Sequence, residues 1–438
     1  MKIALLNPPW TFEHSIYFGC RAPHLPIELG ASKVLLDRAG HDTLMRDGLL
    51  DELDIGAMAR ACAAFGPDLI VVTTAPTYLF WRCAQPELRL PRLLLDALRV
   101  SCPGACLVAV GPHGSATPDA ALRKLGADVV IRGECEDVVL ALANGGIAGE
   151  VPGTAAVNPD GTIRANGGPQ ATRFTDLPAL RWPDHWVARH HHHHHRFEQP
   201  HEGSGHDLPG AEVEASRGCP YSCSFCAKID FRDSYRRRDL LPLLEEIDAL
   251  RAQGVGYLYF IDEIFLPNRP LLEALVGRGL KFGIQTRIDL WKPDMLALLG
   301  AAGCVSIEAG VESLTAEGRA ELDKNCKLST DELADRLILA KCHVAFVQAN
   351  LIQVEGDDPA MVAAWRERLH TAGVWANDPV PLYPYPSSPD YRKLFGMPDS
   401  QAWERAHAHY LGLFERMSDI QDDTPLPLAE LESVCCVR

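Results

Sequence analysis

The chain has 438 residues, 47% apolar and 23% charged, with a formal net charge of −16. That size and apolar content predict two globular domains plus a further segment, and the acidity argues against nucleic acid as a partner, because phosphate binding wants a basic face. Met1–Pro9 is too short an apolar run for a signal peptide, and nothing approaches the roughly 18 apolar residues of a membrane span. Fourteen cysteines without a leader predict a reducing, cytoplasmic setting and no disulfide framework.

Residues 1–145 alternate short apolar runs with amphipathic stretches. Strands are predicted over Lys2–Leu6, His41–Arg46, Asp68–Thr73, Cys106–Val110 and Asp128–Ile131. Helices are predicted over Ile27–Arg38, Asp54–Ala64, Leu93–Val100, Asp119–Leu125 and Cys135–Ala143. Continuous apolar strands separated by helices imply parallel βαβ units with both sheet faces covered. The expected fold is α/β, an open flavodoxin-like (Rossmann-type) sheet whose ligand lies beyond the carboxyl ends of its strands. Those ends carry Asn7-Pro8-Pro9, Thr73-Thr74, Gly111-Pro112-His113-Gly114 and Glu134. Their glycines allow close backbone approach and their hydroxyls offer hydrogen bonds.

Residues 146–210 read as a connector rich in Gly, Pro, Asn and Asp, with a hairpin near Gly153–Val157. It holds six consecutive histidines, His190 to His195. The run is internal and has no fixed geometry, which suits incidental metal binding rather than catalysis.

The second domain, residues 211–390, opens with a strand at Ala211–Ser216. Further strands are predicted at Gly256–Ile261, Lys281–Gln285, Cys304–Glu308, Val344–Val354 and Val374–Leu382, with helices between them. Six βα-type units predict a partial (β/α)6 barrel of the TIM type, with its chemistry at the carboxyl ends of the strands. Polar residues fall there: Asp262-Glu263, Gln285 and Arg287, Glu308 and Glu312. The basic run Arg236-Arg237-Arg238 reads equally as a solvated helix start or an anion contact. Residues 391–438 are expected to form a helical tail.

The first strand of this domain leads into Cys219-Pro220-Tyr221-Ser222-Cys223-Ser224-Phe225-Cys226. Three thiolates at CxxxCxxC spacing can hold three irons of a [4Fe-4S] cubane, which ordinarily takes four protein ligands, so one iron is left open. A structural zinc site would want a fourth Cys or His at ligand spacing, and no second CxxC pair follows.

This motif, with an aromatic residue before its last cysteine, resembles the signature of the radical S-adenosylmethionine (radical SAM) superfamily. The strand ends of residues 1–145 are similar to the cobalamin-binding domain that precedes many radical SAM cores. The resemblance implies three cofactors: a [4Fe-4S] cluster on Cys219, Cys223 and Cys226, S-adenosyl-L-methionine, and cobalamin. It implies a SAM site built from Phe225 near the adenine, Asp262 and Glu263 at the methionine amino group, and Gln285 and Arg287, with Arg287 pairing the methionine carboxylate. Glu308 and Glu312 would hold ribose hydroxyls. Cobalamin would lie against Asn7, Pro8, Pro9, Thr73, Thr74, Gly111, Pro112, His113, Gly114 and Glu134. Many cobalamin proteins carry DxHxxG, whose His ligates cobalt. Here Asp47-Gly48-Leu49-Leu50 has no such His, so a base-off cobalamin without a protein His on cobalt is expected, with His113 able to approach the corrin.

The function implied is methylation of an unactivated carbon of a small molecule, through a 5′-deoxyadenosyl radical and a methyl group carried on cobalamin. An electron donor such as a flavodoxin or ferredoxin would be a partner. Rearrangement or cyclisation with the same cofactors, and a cobalamin-binding sensor or carrier, stay open on the sequence.

Overall fold

The computed structural model describes residues 1–16, 22–76, 84–190, 209–414 and 424–433. Of the histidine run only His190 falls within them. The chain divides into two compact units. One comprises Met1–Arg189, Cys226–Asp233 and Tyr383–Arg438, the other His190–Phe225 and Ser234–Leu382. Among the described residues no helix is long and apolar enough to cross a membrane.

The first unit is built on β1 (Lys2–Asn7), β2 (Asp42–Asp47), β3 (Leu69–Thr73), β4 (Cys106–Val110), β5 (Val129–Ile131), β6 (Thr154–Val157) and β7 (Ile163–Asn166). Their order is β2-β1-β3-β4-β5-β6-β7. The first five are parallel, and β6 and β7 run antiparallel. Helices cross between the parallel strands, so β1, β3 and β4 are covered on both faces and their middles, Ile3–Leu6, Leu69–Val72 and Leu107–Val110, are apolar and buried. Ala4, Leu6, Ile70, Val72, Leu107 and Ala109 pack against Met58, Leu94 and Leu98 of the helices. Helix Ile55–Phe65 starts where the Asp54 side chain accepts from the Ala57 N–H at 2.6 Å, and stops at Gly66 in the left-handed region (φ 66°).

Two expected boundaries move. The hairpin placed in the connector is β6–β7, and β6 pairs with β5 in register Val130↔Ala155. It belongs to the first sheet because β5 would otherwise present a bare edge. The C-terminal helices Pro389–Phe395 and Ala402–Phe414 are not a separate tail either. Tyr383, Tyr391, Ala402, Ala406 and Tyr410 form a buried cluster with Ile16. Trp403 Nε1 donates to Thr117 Oγ1 at 3.2 Å, and Lys124 pairs with Glu404 at 2.6 Å and Glu432 at 3.0 Å.

The second unit starts with β8 (Gly210–Val213), followed by the short β9 (Ser216–Arg217) and β10 (Arg236–Arg237), which pair antiparallel. Then come β11 (Tyr257–Phe260), β12 (Lys281–Thr286), β13 (Cys304–Glu312), β14 (Phe346–Leu351) and β15 (Trp375–Ala376). These five and β8 make a parallel six-stranded sheet, ordered β15-β14-β13-β12-β11-β8. Helices Leu240–Ala252, Arg269–Leu275, Pro293–Ala301, Thr330–Lys341 and Pro359–Thr371 fall between successive strands. One helix went unread: Ala316–Glu321, whose N-cap Thr315 accepts from the Gly318 N–H at 2.9 Å. The arginine run is neither a helix start nor an open anion contact. Arg236 and Arg237 are the strand β10, and Arg238 is buried against Glu246 at 2.7 Å.

Candidate functional site

The cysteine loop hangs from the carboxyl end of β9. Cys219, Cys223 and Cys226 are thiols, each partly exposed. Phe225 is half-buried and Ser224 buried. The approach to the loop is held rigidly. Glu214 and Arg217 form an ion pair at 2.7 Å with both side chains at most 1% exposed. Gly218 turns the chain at φ 78°, and a Cβ there would lie 2.1 Å from the Ser234 carbonyl oxygen, so only glycine fits.

Asp262 and Glu263 follow β11 and face this approach. Asp262 accepts from the Ala215 N–H at 2.8 Å and from the Ser216 hydroxyl. Glu263 accepts from the Gly218 N–H at 2.6 Å. Both carboxyls are buried, and burial pushes the Asp262 carboxyl up to about 8. In this structure the acidic pair therefore clamps the start of the cysteine loop, a role distinct from the expected contact with a methionine amino group.

Arg287 is engaged within the protein. Its fork is already filled: Nε and Nη2 donate to Asp289 at 3.1 and 2.8 Å, and Nη1 donates to the Lys324 carbonyl at 2.6 Å. The guanidinium lies 4.1 Å from the Tyr221 ring centroid, a cation–π contact with the cysteine loop. A bidentate pairing with a ligand carboxylate would have to displace Asp289. Arg287 here braces the loop.

Gln285 and Glu308 sit side by side in register on β12 and β13, with Gln348 next on β14. Burial alone pushes the Glu308 carboxyl up to about 8. Glu312 ends β13 at a register shift and has a left-handed backbone (φ 64°), rare for a residue with a side chain. Its carboxylate is paired with Lys324 at 2.5 Å. The sequence reading placed Asp289 at the end of the third strand without giving it a partner, and missed Lys324, which lies neither at a strand end nor in a recognised motif.

The strand ends of the first unit are mostly bonded to each other. Thr73 Oγ1 and Trp10 Nε1 donate to Asn7 Oδ1 at 2.6 and 2.9 Å, and Asn7 Nδ2 donates to Asp47 at 2.6 Å. Asp47 also accepts from the Leu49 and Leu50 N–H groups, and burial pushes its carboxyl up to about 7. Pro8 is buried and Pro9 half-buried. Gly111 (φ 145°) closes on Thr74: a Cβ there would lie 2.2 Å from Thr74 Oγ1. Pro112, Gly114 and Glu134 are buried, and Glu134 accepts from the Thr172 N–H at 3.1 Å.

His113 is engaged inside the protein. Nδ1 lies 3.2 Å from Thr74 Oγ1, Nε2 lies 3.1 Å from the Gln85 carbonyl, and the ring is 4.3 Å from Trp403. Burial pushes it down to about 3, so it is neutral. Neither ring nitrogen is left over for a corrin in this arrangement.

Among the buried side-chain atoms of this unit without a hydrogen-bond partner are both polar atoms of Gln85, a residue the sequence reading passed over, and Oγ of Ser387, in the Pro/Tyr/Ser stretch whose hydroxyls it read as able to line a pocket. Ser387 has φ 95° and lines a small cleft with Pro112, Ser115, Phe231, Tyr385 and Trp403.

The Radical SAM superfamily model matches residues 213–343, and this stretch of the chain is a radical SAM domain. An uncharacterized methyltransferase of Pyrococcus horikoshii is 23% identical over 326 residues, 72% of this chain and 66% of that protein. A hopanoid C-3 methylase of Methylococcus capsulatus is 26% identical over 450 residues, 98% of this chain and 78% of that protein. Anaerobic magnesium-protoporphyrin IX monomethyl ester cyclases are also among the relatives. For the first curated relatives, the match spans between about half and two thirds of their length. The fold is shared with the radical SAM methyltransferase TsrM of Kitasatospora setae, solved with cobalamin and a [4Fe-4S] cluster. The TM-score is 0.69 at 18% identity, covering 89% of this chain and 76% of that one.

Proposed function

We propose that the protein is a cobalamin-dependent radical SAM enzyme that methylates an unactivated carbon of a small molecule. The observation that carries this reading is the three-thiol loop at the carboxyl end of β9, in a chain that a relative named as a hopanoid methylase matches over 98% of its length. In this reading the parallel six-stranded sheet is the partial (β/α)6 barrel, and the parallel strands β1–β5 form the flavodoxin-like cobalamin-binding domain.

The donor sets fit the groups invoked. Three thiols at CxxxCxxC spacing suit a cubane with one open iron. The orphaned Gln85 amide and Ser387 hydroxyl suit the carboxamide-bearing rim of a corrin, each otherwise leaving a buried polar group unsatisfied. When bound, the cluster supplies the electron that cleaves SAM to a 5′-deoxyadenosyl radical, and cobalamin carries the methyl group. The chain's own residues do the rest. Asp262, Glu263 and Gly218 fix the start of the cysteine loop, Arg287 braces Tyr221, and Glu312 offers a carboxylate at a strand end.

The test is anaerobic incubation of reconstituted protein with SAM, a reductant such as reduced flavodoxin, and candidate substrates. A methylated product with both 5′-deoxyadenosine and S-adenosylhomocysteine is expected. Stoichiometric 5′-deoxyadenosine without S-adenosylhomocysteine would favour the second reading, a cyclisation or rearrangement, which the cyclase relatives support.

A further inference from the structure

The turn at residues 322–325 touches three separately positioned parts of the second unit. Its Leu322 carbonyl accepts from the Ser224 N–H at 3.0 Å, inside the cysteine loop. Its Lys324 carbonyl accepts from Arg287 at 2.6 Å, the same guanidinium that lies on Tyr221. Its Lys324 ammonium donates to the Gly310 carbonyl at 2.7 Å and to Glu312 at 2.5 Å. To make these contacts the turn places two residues with side chains, Asp323 and Asn325, at φ 50° each. Left-handed backbone of this kind persists only where the surroundings over-determine it.

The Lys324–Glu312 pair is set into the fold. Lys324 is 4% exposed and Glu312 14%, so each charge depends on the other. Room for them exists because position 310 is glycine: a Cβ there would lie 2.9 Å from Glu312 Oε1 and 3.4 Å from Lys324 Nζ. Glu312 itself has a left-handed backbone, so its side chain leaves the strand end in a direction the regular ladder would not give. One carboxylate oxygen is held by Lys324, and the geometry of a carboxylate leaves the other able to accept from a ligand hydroxyl.

We propose that Lys324 is a positioning residue of the SAM site. It orients the Glu312 carboxylate for a ligand's vicinal hydroxyls, and through the turn it ties that carboxylate to the cysteine loop. This rests on the SAM-binding reading above. The consequence is specific: removing the ammonium weakens SAM binding by misplacing Glu312, while the thiols and their cluster stay as they are.

The experiment uses the full chain, reconstituted anaerobically, as wild type, Lys324→Met, Lys324→Arg, Glu312→Gln and the Glu312→Gln/Lys324→Met double variant. Iron and sulfide content, the EPR spectrum of the reduced cluster with and without SAM, and KM and kcat for reductive SAM cleavage are read. Lys324→Met is expected to keep full iron and the SAM-free spectrum, and to raise KM for SAM on the order of tenfold, the scale for losing a partner that orients a ligand group. The kcat should change less. Lys324→Arg should recover most of the affinity, and the double variant should bind no worse than Glu312→Gln alone. An unchanged KM in Lys324→Met, or fully additive losses in the double variant, would overturn the assignment while leaving the SAM reading intact. A wild-type cluster whose spectrum does not respond to SAM would overturn both.

Discussion

Replacing Gly218 by alanine should empty the cluster site without unfolding the chain. The added Cβ would sit 2.1 Å from the Ser234 carbonyl oxygen and 2.6 Å from its carbon, both main-chain atoms that no rotamer change can move. Relieving the contact needs a displacement of about 1 Å, because ordinary carbon–oxygen packing begins above 3 Å. The left-handed φ of 78° adds roughly 1–2 kcal/mol for any residue with a side chain, and overpacking adds about 1–3 kcal/mol. The total, roughly 2–5 kcal/mol, falls on a residue whose N–H is also bonded to Glu263 and whose neighbour is Cys219. The cheapest escape is to shift the cysteine loop. Iron and sulfide per chain after anaerobic reconstitution, with the visible absorption of the cluster, measure the effect, and far-UV circular dichroism controls for folding. Full iron loading with an unchanged melting temperature in Gly218→Ala would refute the reasoning, since it would mean that the turn at 218 can relax without disturbing the thiols.

Two further outcomes follow from the buried titratable groups. Glu308 and Asp262 are both pushed up to about 8 by burial, so each is neutral in the folded chain at neutral pH but ionised once unfolded. Such groups contribute stability that is full below about pH 4 and lost as pH rises through about 8. The urea midpoint should therefore fall between pH 5 and 8.5, and Glu308→Gln should flatten the fall; a variant with the wild-type slope would contradict the assignment. His113→Phe keeps a ring against Trp403 but removes two hydrogen bonds, which should cost about 1–3 kcal/mol. The same variant loaded with cobalamin should keep the wild-type visible spectrum, whereas a shifted corrin band would place His113 on cobalt.

What was legible in the sequence followed from periodicity and spacing. Apolar runs such as Leu69–Thr73 and Cys106–Val110 have no other stable reading than strands covered on both faces, and the observed strands match them closely. Helices Ile27–Arg38, Leu240–Ala252 and Thr330–Lys341 fall where the pattern put them. The cysteine loop was legible because three cysteines lie within eight residues. What stayed hidden was partnership. Arg287 reads as an anion contact until Asp289, two residues on, is seen to fill its fork. His113 reads as able to approach a corrin until Gln85 and Thr74 are seen to take both nitrogens. Lys324 reads as one lysine in a polar stretch, because its partners Gly310 and Glu312 are more than a helix away in the chain. Local sequence reports what a residue can do, and only the fold decides which partner reaches it first.

The first unit draws on both ends of the chain, and this bears on how the protein is made. The strands β1–β7 are complete once Asn166 has been synthesised. The helices that cover Ile16, pair with Lys124 and stack Trp403 on His113 begin at Pro389. At ribosomal speeds of roughly 5–20 residues per second, the sheet waits on the order of tens of seconds for them. Through that interval its apolar flank and the half-buried charge of Lys124 face solvent or a chaperone, and the second unit must be translated before the first can close. Expression at lower temperature or with a holdase would protect this nascent state, and a chain stopped short of residue 389 would carry the exposed flank permanently.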